Sequence, residues 1–269
     1  MNYHSDEWIM RRVREHYNEA LEYFPEDRIV GLFYQGSGNY GLDYEGSDVD
    51  TKLIVTPTFE DIAMNKKAVS TTHIRANEEH IDFKDIRLYI QTFRKQNLNF
   101  LEILFTKYAI INPMYKAEWD RLVKAREEIA HYAPVQAIKS MKGIAKEKYH
   151  AMEHHYPARM AWIEKFGYDP KQLHHLLRVE DYIERYIKGE SYESCLHPRL
   201  PEYLKDVKAG CHSLETARSL ADSAIENIDK MCDKYLETCT KEVNKDVDVL
   251  LDDVQYNIMK IAIKKEIGD

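Results

Sequence analysis

The sequence predicts an α+β chain in two parts: a domain holding a small sheet over residues 1–113, then an all-helical domain over 114–269. Two observations carry the prediction. Up to Pro113, short runs rich in β-branched and aromatic residues alternate with helical patterns; beyond it, long segments of helical period take over. A third observation, a glycine turn followed by closely spaced aspartates, marks where chemistry would sit in the first part.

The elements follow in order. Asp6 to Tyr23 reads as a helix, with Trp8, Ile9, Val13, Tyr17 and Leu21 near helical spacing, and Phe24-Pro25-Glu26-Asp27 breaks it. Arg28 to Gln35 reads as a strand, as does Val49 to Val55. A short helix at Phe59 to Asn65 precedes two more strands, Val69 to Arg75 and Glu79 to Phe83. Ile86 to Phe105 turns helical, with Leu88, Phe93, Leu98, Leu101 and Leu104 as core positions. The second part offers helices at Ala117–His131, Val135–His154, Pro170–Lys188, Leu214–Thr238 and Val243–Ile267, broken at Pro134, Pro157, Gly167–Pro170 and the loop carrying Gly189, Pro198 and Pro201. No internal repeat interrupts this order.

Composition narrows the class. At 44% hydrophobic and 31% charged residues, the chain has the makeup of an ordinary globular protein, and no apolar run approaches the length of a membrane span. The start, Met1-Asn2-Tyr3-His4-Ser5-Asp6-Glu7, is polar and has no signal-peptide core, so cytoplasm is the expected compartment. Cys195, Cys211, Cys232 and Cys239 form no Cys-x-x-Cys pair and are expected as free thiols. A net charge of -8 disfavours a broad footprint on long nucleic acid but leaves room for a local basic channel taking a triphosphate or an RNA end.

The chemistry concentrates in Gly36-Ser37-Gly38-Asn39-Tyr40-Gly41 and Ser47-Asp48-Val49-Asp50. The glycine spacing formally matches a dinucleotide-binding fingerprint. That fingerprint must open a long helix, with its acid about 20 residues on; here Asp43 to Gly46 breaks the chain and the acids arrive early. Asp48 and Asp50, two apart on a strand, share a face. Unpaired, they would repel; a divalent cation with phosphate oxygens removes that penalty. Ile81-Asp82-Phe83 supplies a third acid between apolar neighbours. Asp85 competes for that role, although its place before a helix also fits a cap.

In this order and spacing, residues Ile29 to Asp82 resemble the nucleotidyltransferases of the DNA polymerase beta superfamily. The likeness is closest to a bacterial and phage group with a helical C-terminal half, and extends to Asn97-x-Asn99-Phe100-Leu101-Glu102 and more loosely to His175-Leu176-Leu177-Arg178. The resemblance implies a small mixed sheet. It also implies that Gly36 and Ser37 hold β- and γ-phosphates and that Asp48, Asp50 and Asp82 bind two magnesium ions, or manganese in their place. Asp82 would serve the ion that activates the acceptor and could take its proton. In-line attack of an acceptor hydroxyl on the α-phosphorus would then release pyrophosphate. The acceptor classes left open are a small molecule, a protein side chain and an RNA end. One departure stands out: Gly38 occupies a position where many members carry a basic residue, so another cation must meet the triphosphate.

The helical part offers such cations. Lys171, His174, His175 and Arg178 share a helix face by i, i+3 and i+4 spacing, and Lys171, His175 and Arg178 are the candidates for phosphate binding. Lys139, Lys142 and Lys146 also share a face, read as a charged outer surface. Glu153, His154 and His155 read as loop residues, and Asn99 and Glu102 as either base-orienting or buried polar contacts. Asp246-Val247-Asp248 repeats the acidic spelling on a helix, where residues two apart diverge, and reads as a solvated face. The competing reading of the whole chain is a non-catalytic nucleotide-binding module, such as an antitoxin-like partner.

Overall fold

A computed structural model describes residues 3–268; Met1, Asn2 and Asp269 lie outside the described residues. Two compact units emerge. One runs to Ala133 and resumes at Val243, and the other is Pro134–Glu242. The sequence boundary at residue 113 thus falls inside the first unit, and the last helix belongs with the sheet rather than with the helical part.

In the first unit, helix α1 (Asp6–Ala20) leads through a turn of 3-10 helix to strand β1 (Ile29–Gln35). Strand β2 (Asp50–Val55), helix α2 (Phe59–Ala63), strands β3 (Ser70–Ile74) and β4 (His80–Asp85), and helices α3 (Ile86–Arg94) and α4 (Leu98–Leu101) follow. Strand β5 (Ala109–Ile111) and helices α5 (Lys116–Lys124) and α6 (Arg126–Ala130) close the first segment. The sheet has the order β3-β4-β2-β1-β5. It is mixed: β2 and β4 run parallel, while β1–β2, β1–β5 and β3–β4 are antiparallel.

Strand alternation sorts the two faces. Leu32, Tyr34, Leu53, Val55, Ile81 and Phe83 form one buried cluster with Ile9, Val13 and Ala20 of α1. Each such side chain, fully buried, contributes about 1.5–3 kcal/mol. The opposite face carries Asp50, Lys52, Asp82 and Lys84, together with Phe33, which pairs with Lys52 in the β1–β2 ladder and whose ring centre lies 4.3 Å from that of Trp119 of α5. Helix α13 (Lys245–Ile267) completes this unit. It is held by Arg94 of α3, which meets Asp248 at 2.8 Å and Asp252 at 2.6 Å, and by Arg121 of α5, which meets Asp253 at 2.5 Å.

The predicted helix at Ile86–Phe105 is broken in two. Gln96 takes a left-handed backbone (φ 51°), its side-chain amide donates to the carbonyls of Phe93 and Ile129, and Asn97 caps α4 by accepting from Asn99 N–H.

The second unit is helical: α7 (Pro134–Ala151), α8 (Met160–Phe166), α9 (Pro170–Ile187), α10 (Tyr192–Leu196), α11 (Pro201–Lys208) and α12 (Leu214–Thr238). Helix α9 is its centre, packed by α7, α10, α11 and α12. Its start is fixed by Asp169, which caps Lys171 N–H and is clamped by Arg159 at 2.6 and 2.7 Å. The four cysteines are free thiols. Among the described residues no helix is long and apolar enough to cross a membrane.

Candidate active site

The site begins where β1 ends. Gly36 has φ +140°, a region closed to L side chains, and a Cβ there would lie 3.1 Å from the Tyr34 hydroxyl. Gly38 is tighter: a Cβ would meet the same hydroxyl at 2.8 Å and Ile9 at 3.1 Å. The Tyr34 hydroxyl accepts Gly38 N–H at 3.0 Å, so the turn is built around this buried phenol.

A second brace comes from Glu102, which is buried just after α4. Its carboxylate accepts Gly36 N–H at 3.0 Å and the Asn39 side-chain amide at 2.7 Å. Asn39 in turn accepts from the Thr106 hydroxyl at 2.7 Å. Asn99 contributes through its backbone, its carbonyl accepting from the Gln35 amide at 2.9 Å. The Asn97–Glu102 segment therefore shapes the turn. In this arrangement the Gly36 N–H is donated to a carboxylate. Asn39 and Tyr40 N–H return to the carbonyls of Gly36 and Ser37. Ser37, half-buried, accepts Tyr40 and Leu42 N–H at its carbonyl.

The Ser37 hydroxyl lies 3.4 Å from that of Ser47, the residue preceding Asp48. In the β1–β2 ladder Gln35 pairs with Asp50. Turn and acids therefore meet at one end of one strand pair. Asp48 is exposed, Val49 buried and Asp50 half-exposed, although Asp48 itself precedes the strand. Asp50 Oδ1 accepts His80 N–H at 2.9 Å across the parallel pair.

What holds the dipeptide in place is Glu79, a residue with no spacing signature in the sequence. Its Oε1 accepts Val49 N–H at 3.2 Å. Its Oε2 receives Arg12, Arg75 at 2.8 Å and His16 Nε2 at 2.9 Å, while His16 Nδ1 meets the Thr51 hydroxyl at 2.9 Å. Burial alone would raise the Glu79 pKa; the donors around it outweigh burial and hold the carboxyl well below its usual range.

Asp82 lies on the same sheet face as Asp50, in register with Lys52. Lys52 Nζ sits 3.1 Å from Asp82 Oδ2, and the Thr72 hydroxyl donates to Oδ1 at 3.3 Å. Burial depresses the pKa of the Lys52 ammonium, and Asp82 acts against that shift. Asp85 is buried, caps α3 through Arg87 N–H at 2.8 Å and pairs with the Arg87 guanidinium at 2.7 Å, a structural role. Among the described residues no three His, Cys, Asp or Glu side chains gather closely enough to hold a metal ion.

Lys171, His175 and Arg178 lie on α9, in the second unit. His174 departs from their face: it is buried, bonded through Nδ1 to the Leu204 carbonyl at 2.8 Å, and burial lowers its pKa to about 3. Burial, together with His174, Arg178 and Lys171 nearby, also keeps His175 well below the usual imidazole range. At neutral pH the face expected to be cationic thus carries its charge on Lys171 and Arg178 alone. Lys142 bridges Asp229 and Asp233 of α12 at 2.8 and 2.9 Å, and Glu153 pairs with Arg218 at 2.5 Å.

No protein-family model matches the chain, and no curated protein matches it.

Proposed function

We propose that this protein transfers a nucleoside monophosphate from a nucleoside triphosphate to an acceptor hydroxyl. The observation that carries this reading is the meeting of the Ser37 turn with Asp48 and Asp50 at one end of the β1–β2 pair. The resemblance to DNA polymerase beta-type nucleotidyltransferases rests on the same residues.

In this reading Ser37 holds the triphosphate tail through its N–H and hydroxyl, and Asp48 and Asp50 hold magnesium. Their fit to that ion is good: two carboxylates on an open strand end supply the hard oxygen donors it prefers. Magnesium bound there would neutralise phosphate charge and orient the triphosphate. The acceptor oxygen forms a bond to the α-phosphorus as the bond to the β-phosphate oxygen breaks; the hydroxyl proton leaves with solvent or a nearby base, and pyrophosphate departs. Both oxygens of Asp82 accept from protein donors, as one oxygen of Asp50 does, so a metal at Asp82 would share them with Lys52 and Thr72. The acceptor is a small molecule, a protein side chain or an RNA end.

The engagement of Asp82 also favours a second reading, a module that binds nucleotide without turning it over. One experiment separates the two. Purified protein is incubated with each α-labelled nucleoside triphosphate and magnesium, using cellular RNA, protein extract or metabolites as acceptor, beside Asp48→Ala/Asp50→Ala. Label entering one pool and lost in the variant supports transfer and names the acceptor class. Binding without transfer supports the module.

A further inference from the structure

Lys52 follows Asp50 by two residues, on the same face of β2, and faces Asp82 across the parallel ladder. Its side chain is only 7% exposed, with Nζ 3.1 Å from Asp82 and 4.1 Å from the centre of the Phe100 ring, which covers it. Lys84 approaches the same ring at 4.9 Å. A lysine so enclosed cannot swing into solvent without uncovering Phe100 and stripping Asp82 of its partner. A divalent ion at Asp82 would face that ammonium at short range in a poorly screened setting.

We propose that Lys52 stands in place of a second divalent ion, so that the site takes a single one, held by Asp48 and Asp50. The proposal rests on the nucleotidyl-transfer reading and deepens it. Asp82 is then a positioning residue that fixes Lys52, and Lys52 is the buried cation of the phosphate site. Thr72 donates to the other Asp82 oxygen from β3, so both oxygens of that carboxylate accept from the protein.

The test counts ions rather than turnover. The full chain is mixed with manganese and, in turn, each α,β-methylene nucleoside triphosphate, which resists attack at the α-phosphorus. Native mass spectrometry then gives the number of manganese ions in the ternary complex. The expected result is one ion per chain for the wild type and for Lys52→Arg, and two for Lys52→Met, in which Asp82 is released. Two ions in the wild type, or one in a folded Lys52→Met, overturns the substitution of lysine for metal while leaving nucleotide binding intact. A wild type that retains neither nucleotide nor manganese overturns the nucleotidyl-transfer reading, and the proposal with it. Should Lys52→Met fail to fold, the wild-type count decides alone.

Discussion

Two stretches of this chain spell Asp-Val-Asp, and their surroundings differ in every respect that matters. At Asp48-Val49-Asp50 the backbone is extended: the valine is buried, both carboxylates look outward, and Glu79 pins the peptide between them. At Asp246-Val247-Asp248 the backbone is helical. Val247 is again buried, but Asp246 is exposed in the first turn of α13, and Asp248 is drawn aside to Arg94 and the Tyr132 hydroxyl. Paired carboxylates become a candidate ligand set only where the backbone aims them together. On the helix one of them is a strut between α13 and α3, which goes beyond the solvated face its spelling predicts.

The largest effect should separate the two pairs. Asp48→Asn/Asp50→Asn is expected to lower kcat/KM for nucleotidyl transfer on the order of 10³-fold, the scale of losing a preorganised electrostatic contact to reacting phosphate. Asp246→Asn/Asp248→Asn should leave kcat/KM unchanged. Equal losses in both would break the comparison.

Glu79 sharpens it. Glu79→Ala leaves Arg12, His16 and Arg75 facing a void and should cost about 3 kcal/mol or more in urea unfolding. Glu79→Gln, which still offers Val49 an acceptor, should recover part of the transfer rate. Because the folded Glu79 pKa is depressed, its stabilisation is complete above the unfolded value of about 4.3 and is lost progressively as pH falls below it. The wild-type denaturation midpoint should therefore drop below that pH more steeply than that of Glu79→Gln.

His174 gives the second unit a different acid response. Its folded pKa of about 3 lies below the unfolded value of about 6.5, so its contribution is present above the higher value and is lost as pH falls between the two. Replacing it with Gln, which can still donate to the Leu204 carbonyl, should flatten the pH dependence of unfolding between about 6.5 and 4. An unchanged slope would place the origin elsewhere.

The smallest effect is expected at the strut. Asp248 is 41% exposed, and Asp248→Asn should cost no more than about 1 kcal/mol after screening by solvent, read as a shift in the urea midpoint.

Much of this was legible in the sequence because it depended on local pattern. The apolar, β-branched and aromatic runs of β1 and β2, the alternation of β4 and the helical period of α9 and α12 place those elements within a residue or two of where they lie. The turn glycines were legible for the same reason: Gly36 adopts a backbone that other residues resist. What stayed hidden depends on distant partners. Strand β5 is three residues long and owes its existence to pairing with β1. Helix α13 reads like the helices before it, and its place with the sheet unit comes from distant partners, among them Arg94, Arg121, Tyr132 and Phe59. Within the site, Glu79 and Lys52 look like ordinary polar residues, and Glu102, which the sequence leaves open between orienting a base and a buried polar contact, is a buried polar contact. Their roles come from contacts with Val49, Asp82 and Gly36, each 30 or more residues away along the chain.

The most direct measurement of the central claim is pyrophosphate release coupled to transfer of the α-labelled nucleotide, run side by side on the wild type, Asp48→Asn/Asp50→Asn and Asp246→Asn/Asp248→Asn. The account predicts stoichiometric pyrophosphate and label in the wild type and the α13 variant, with both lost in the β2 variant. Undiminished transfer in the β2 variant, or none in the wild type with any nucleotide and acceptor pool, would contradict it.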